Sequence, residues 1–133
     1  MSVLAEATHG LFAAFAARDE DALLELIAPD VEFWPAGTAP QAGRTGPYRG
    51  HAGMREYLRD VAQVWRALEV EPDELREAGQ AVVAFGTARG TRSSGEQVTV
   101  PVIWVFKFRD GLLLKGRVVA TAAEAAREMQ ATK

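Results

Sequence analysis

From Gln97 to Ala120 the chain reads QVTVPVIWVFKFRDGLLLKGRVVA, and few folds can accommodate such a stretch. Val98, Val100, Val102, Ile103, Trp104, Val105, Phe106 and Phe108 make it too rich in β-branched and aromatic residues for a surface helix. Arg109-Asp110-Gly111 interrupts the run, and Asp-Gly between apolar segments signals a tight hairpin, with Leu112 to Ala120 as the returning strand. Side chains alternate along a strand, so Val98, Val100, Val102, Trp104, Phe106 and Phe108 share one face. The other face carries Gln97, Thr99, Pro101, Ile103, Val105, Lys107 and Arg109 and is only half apolar. This pattern belongs to a sheet closed over a core on one side, with water or a second subunit on the other. Pro101 cannot donate to a ladder, so it is expected at a bulge or where that edge is unpaired.

A chain of 133 residues is expected to form one domain, residues 1–133, and to bury about two-thirds of its extended surface. It has no cysteine, which excludes disulfides and thiolate metal sites. A net charge of −3 without a basic stripe speaks against a nucleic-acid partner. No signal-peptide pattern and no apolar run near about 18 residues is found, so a soluble cytoplasmic protein without a membrane partner is expected.

Ahead of the long hairpin, Met1 to Ala17 has Leu4, Leu11, Phe12 and Phe15 at helical spacing, with Ser2 as cap. Asp19 to Ile27 reads as a second, short helix capped by Asp19 and ended by Ala28-Pro29. A short strand follows at Asp30 to Trp34. Pro35 to Gly50, with three prolines and four glycines, reads as a lid or binding loop. A third helix from about Ala52 to Ala67 places Met54, Tyr57, Leu58, Val61, Val64 and Trp65 on its apolar stripe and Asp60 on its wet side. Two strands then turn about Ala78-Gly79: Leu68 to Glu77 and Gln80 to Thr91. Thr121-Ala122-Ala123-Glu124 has capping-box spacing and opens a short C-terminal helix to about Gln130.

This element order, with Ala-Pro-Asp-Val-Glu-Phe at residues 28–33 and Tyr-Arg-Gly-His-Ala-Gly-Met-Arg at 48–55, resembles the SnoaL-like branch of the nuclear transport factor 2-like (NTF2-like, ketosteroid isomerase-like) superfamily. The resemblance implies an α+β cone-shaped fold: a curved, mixed or antiparallel sheet wrapped around three N-terminal helices, a pocket inside, and a homodimer through the sheet's outer face. The family mixes cyclases, isomerases, dehydratases, epoxide hydrolases and non-catalytic proteins. Function therefore has to come from residues.

Isomerases of this superfamily use a tyrosine and two aspartates. The matching positions here are Leu11, Trp34 or Pro35, and Trp104, which are apolar and hold neither the base nor the acid of that set. The Arg-x-Asp alternation of the family's epoxide hydrolases is missing, since Arg109-Asp110 are adjacent and in a turn. Where family cyclases often carry Tyr-x-Asp, this chain has Val119-Ala120-Thr121. His9 and His51 are the only histidines and are not spaced as metal ligands; no metal and no cofactor is expected.

The expectation is thus a small-molecule-binding protein whose hydrophobic pocket is lined by Leu11, Phe12, Phe15, Trp34, Met54, Tyr57, Phe85, Trp104 and Phe106 and takes a small, mostly apolar molecule. The alternative is an enzyme of the polyketide cyclase, isomerase or epoxide hydrolase type on a polyketide- or terpenoid-like substrate. In that case Tyr57, Thr87, Arg89, Arg117, Glu32 or His51 would supply polar groups. Trp104 either floors the pocket or plugs it.

Overall fold

The computed structural model describes residues 2–130. Helix α1 (Val3–Ala17) is capped by Ser2, whose hydroxyl accepts from the Ala5 N–H at 3.0 Å; Met1 lies outside the described residues. Helix α2 (Glu20–Glu25) is capped in the same way by Asp19 at 3.1 Å. It is shorter than the sequence pattern suggested because Ile27 already begins strand β1 (Ile27–Pro35). Pro29 is accommodated there because the pairing of β1 is irregular between Ile27 and Glu32, where a missing donor breaks no ladder bond.

The Gly/Pro segment holds a short 3-10 helix (Pro40–Ala42) and ends in strand β2 (Tyr48–Arg49). Helix α3 (Gly50–Val64) follows, then β3 (Trp65–Ala78), β4 (Ala81–Arg92), β5 (Gln97–Arg109), β6 (Leu112–Val119) and α4 (Ala122–Gln130). The strands form one sheet in the order β2-β1-β6-β5-β4-β3, antiparallel except between β1 and β6. At the β5–β6 turn Asp110 and Gly111 both have positive φ, 53° and 79°, as a type I′ hairpin requires. Pro101 lies beyond the last β5–β6 pair, Ile103 with Val119, so that edge of β5 carries no ladder there.

Two corrections concern tryptophan and phenylalanine. Trp65 does not continue the stripe of α3: it is extended (φ −116°, ψ 130°) and opens β3. Its ring lies against Gly90, where a Cβ would come within 2.7 Å of it, and its indole N–H donates to Thr38 Oγ1 at 3.0 Å. A buried indole needs such a partner, and the Gly/Pro segment provides it. Phe85 faces away from the cone. It pairs with Ile103 of β5, while its neighbour Ala84 pairs with Trp104, so register alone sends Phe85 to the outer face.

That outer face has its own cover. Ile103, Val105 and Val119 are buried with Ala125 of α4, and Val83, Phe85 and Met129 pack around them. The α4 capping box forms reciprocally: Glu124 N–H donates to Thr121 Oγ1 and Thr121 N–H to Glu124 Oε1, each at 3.1 Å. At its far end Lys107 Nζ donates to the Glu128 carbonyl at 2.7 Å, and Arg117 meets the Glu128 carboxylate at 3.3 Å. A second copy is therefore not required to cover Ile103 and Val105. No helix among the described residues is long and apolar enough to cross a membrane.

Candidate functional site

Inside the cone, β5 presents Trp104, Phe106 and Phe108 to α1 and α3. The residues of β4 on that face, Val82, Ala84, Gly86, Ala88 and Gly90, are mostly small. Large side chains on one strand and small ones on the next leave two chambers. The inner one, about 60 Å³, is lined by Leu11, Phe12, Phe15, Leu23, Ile27, Phe33, Met54, Tyr57, Val70, Trp104, Phe106 and Leu113. The outer one, about 200 Å³, is lined by Pro35, Gly37, Thr38, Tyr57, Trp65, Leu68, Val70, Ala88, Gly90, Arg92, Val98, Val100, Val102, Trp104 and Val118.

Tyr57, Val70 and Trp104 border both chambers and form the partition between them. The indole of Trp104 meets Phe12 edge-on, ring centroids 4.9 Å apart and planes at 84°. Tyr57 stacks on Phe15 and meets Phe33 and Tyr48 edge-on at 5.0 and 5.4 Å. Its ring is thus fixed on three sides. Its hydroxyl has no hydrogen-bond partner among the described residues, and neither has the Trp104 indole N–H. Burial pushes the Tyr57 phenol well above the ordinary 10, so it stays protonated and can donate but cannot act as a base near neutral pH.

Among the nine residues expected to line a pocket, Leu11, Phe12, Phe15, Met54, Tyr57, Trp104 and Phe106 come together around the inner chamber. Phe85 and Trp34 line neither chamber. Trp34 alternates with Phe33 along β1, and it is Phe33 that turns inward. Apart from Tyr57, the polar candidates of the alternative reading also go elsewhere. Glu32 pairs with Arg49 at 2.7 Å, Arg89 with Glu71, and Arg117 with Glu128. Thr87 shares the face of Phe85, and His51 Nε2 lies 2.8 Å from the Ile27 carbonyl. His9 is exposed on α1. No carboxylate and no imidazole lines either chamber. No cluster of three or more His, Cys, Asp or Glu side chains placed to hold a metal occurs among the described residues.

Three contributors escaped the sequence pattern. Thr38 enters the outer chamber because the Gly/Pro segment is strapped to α3 by Asp60, whose Oδ2 accepts from Tyr48 Oη at 2.7 Å and Arg44 Nε at 3.0 Å. Nothing in the local periodicity distinguishes that aspartate from a solvated one. Arg92 reaches the chamber at the end of β4, its guanidinium 5.8 Å from the centre of the Trp65 ring. Val70 comes in on β3, a strand whose charged alternation gives little hint of a buried face.

The comparisons with known proteins agree with this architecture. No curated protein matches the chain. Among solved structures, an NTF2-like protein of unknown function from Burkholderia pseudomallei K96243 superimposes with a TM-score of 0.83 at 28% identity, over 96% of this chain and 97% of that one. TerC, co-crystallised with polyporic acid, gives 0.81 at 28% identity, over 98% and 100%. A putative SnoaL-like polyketide cyclase from Jannaschia sp. CCS1 shares the fold at 18% identity, with a TM-score of 0.73 over 98% and 94%. The model of the SnoaL-like domain matches residues 8–115. With its curved six-stranded sheet around the helices and that match over most of its length, the chain belongs to the SnoaL-like domain family of NTF2-like folds.

Proposed function

We propose that this protein binds a small, mostly apolar molecule inside its cone and does not itself carry out acid–base chemistry on it. The observation that supports this most is the character of the partition: an apolar cavity crossed by two hydrogen-bond donors, Tyr57 and Trp104, with no carboxylate or imidazole in its lining. A ligand oxygen accepting from either donor would gain one net hydrogen bond, about 0.5–1.5 kcal/mol. A general base is what an isomerase, a cyclase or an epoxide hydrolase of the expected types would need, and the lining offers none. TerC, similar over its whole length, was co-crystallised with polyporic acid, which is in keeping with a small-molecule ligand for this chain as well.

Calorimetric titration of wild type and Tyr57→Phe with naphthalene and 2-acetylnaphthalene tests the reading. The wild type is expected to bind both and to prefer the ketone by about fivefold, one neutral hydrogen bond. Tyr57→Phe should lose that preference while keeping its urea midpoint, because the hydroxyl it lacks had no partner to lose. No binding of either probe contradicts the proposal.

Pairing of two copies is proposed for the part of the outer face that α4 leaves half-covered, around Val83, Phe85 and Met129. Phe85→Glu is expected to give a monomer by sedimentation. A wild type that is already monomeric at micromolar concentration contradicts it.

A further inference from the structure

The two chambers differ in one respect that bears on what they admit. The inner lining is uncharged, whereas the outer lining contains one charged residue, Arg92, and no carboxylate. Arg92 also borders the surface groove formed by Gln41, Gln63, Ser93 and Ser94, so it stands between chamber and solvent. Its orientation is set from two sides. The guanidinium lies over the Trp65 ring, and the Arg92 backbone N–H donates to the Glu96 carbonyl at 2.8 Å across the β4–β5 turn.

The charge itself is weakly committed. Arg92 Nη1 meets Glu96 Oε1 at 3.2 Å, with both side chains substantially exposed at 37% and 60%. Such surface pairs contribute little and exchange readily. Its Nε is buried and has no hydrogen-bond partner. Nearby, Thr38 Oγ1 already accepts from Trp65, which leaves its hydroxyl hydrogen to be donated. Thr38, Tyr57 and Arg92 thus present donors along one apolar chamber that offers no carboxylate.

We propose that the outer chamber selects apolar molecules bearing an anionic oxygen, a carboxylate or an enolate. Arg92 is the residue that recognises the charge, and Glu96 is its exchangeable counter-ion. This rests on the pocket reading above and deepens it. A guanidinium held over an indole is placed to meet an oxyanion, and a charge-assisted bond in a partly dry site exceeds a neutral one.

The test uses two matched pairs that differ in the anionic group: naphthalene with 2-naphthoate, and 1,4-naphthoquinone with 2-hydroxy-1,4-naphthoquinone, which is an enolate at neutral pH. The wild type is expected to favour 2-naphthoate over naphthalene by about tenfold. Arg92→Leu should bring that ratio to about one, Arg92→Lys should retain most of it, and Glu96→Gln should raise it by freeing the guanidinium. The quinone pair tells whether enolates share the preference or carboxylates alone have it. A wild-type ratio of one or less, or an Arg92→Leu ratio equal to that of the wild type, overturns the proposal while leaving the pocket reading intact. Should Arg92→Leu fail to fold, Glu96→Gln decides, and an unchanged ratio there also overturns it. If naphthalene and 2-naphthoate both fail to bind the wild type, the pocket reading falls and takes this inference with it.

Discussion

Trp104→Ala is expected to lower the stability of this protein by about 3–5 kcal/mol, the usual cost of emptying a large aromatic site. Trp104 is 5% exposed and packs edge-on against Phe12, so little around it can collapse into the space it leaves. The same substitution removes the partition, joining the chambers of about 60 and 200 Å³ and adding the volume of the indole. Ordinary small-molecule sites hold roughly 300–1,000 Å³, so the joined space enters that range while neither chamber does alone. The variant should therefore take up the three-ring hydrocarbon anthracene, which the wild type should reject in favour of two-ring naphthalene. Urea unfolding and fluorescence titration read the two effects separately. A variant as stable as the wild type, or equal anthracene uptake by both, would mean that Trp104 does not divide the cone. Trp104 lines both chambers, so its position matches neither a simple floor nor a simple plug.

Gly86→Ala carries the second large effect, for a backbone reason. Across β4, Gly86 faces Pro72 of β3, and the pairing of the two strands slips between Pro72 and Glu74. A Cβ on Gly86 would run into the Glu71 carbonyl oxygen and stand 2.8 Å from Pro72 Cα. Neither is a side-chain tip that can swing aside. The strand β3 would have to lift, and it is β3 that brings Leu68 and Val70 over the outer chamber. A loss of about 2–3 kcal/mol is expected, at the upper end of overpacking costs, together with weaker naphthalene binding. The urea midpoint checks the first and calorimetry the second. Wild-type values in both would show that the two strands do not cross as closely as this.

The elements of this fold that sequence reveals are those with a strong local cause. The hairpin at Asp110-Gly111, the caps at Ser2, Asp19 and Thr121, and the two-faced β5 all rest on short-range chemistry, and all are present. What depends on register or on distant contact is less legible. The face taken by Phe85 is set by its pairing with Ile103, since β4 is apolar enough on both sides for either choice. Trp65 has the spacing of a helix residue and becomes a strand residue because Gly90 makes room and Thr38 offers an acceptor. Both lie far from it in sequence. The outer apolar patch, which the strand pattern leaves to water or a second subunit, is taken up first by α4, held there also by Glu128 with Lys107 and Arg117. Arg92 looks like any arginine at a strand end, and only the path of the Gly/Pro segment turns its position into a chamber wall.

The most direct measurement follows the three indole N–H resonances during titration of the wild type with naphthalene. Trp65 and Trp104 line the outer chamber, and Trp34 lines neither. The Trp65 and Trp104 signals are expected to shift in a saturable way with a common dissociation constant while Trp34 stays in place. An unmoved Trp104 at saturating naphthalene, or a shift confined to Trp34, would contradict binding inside the cone.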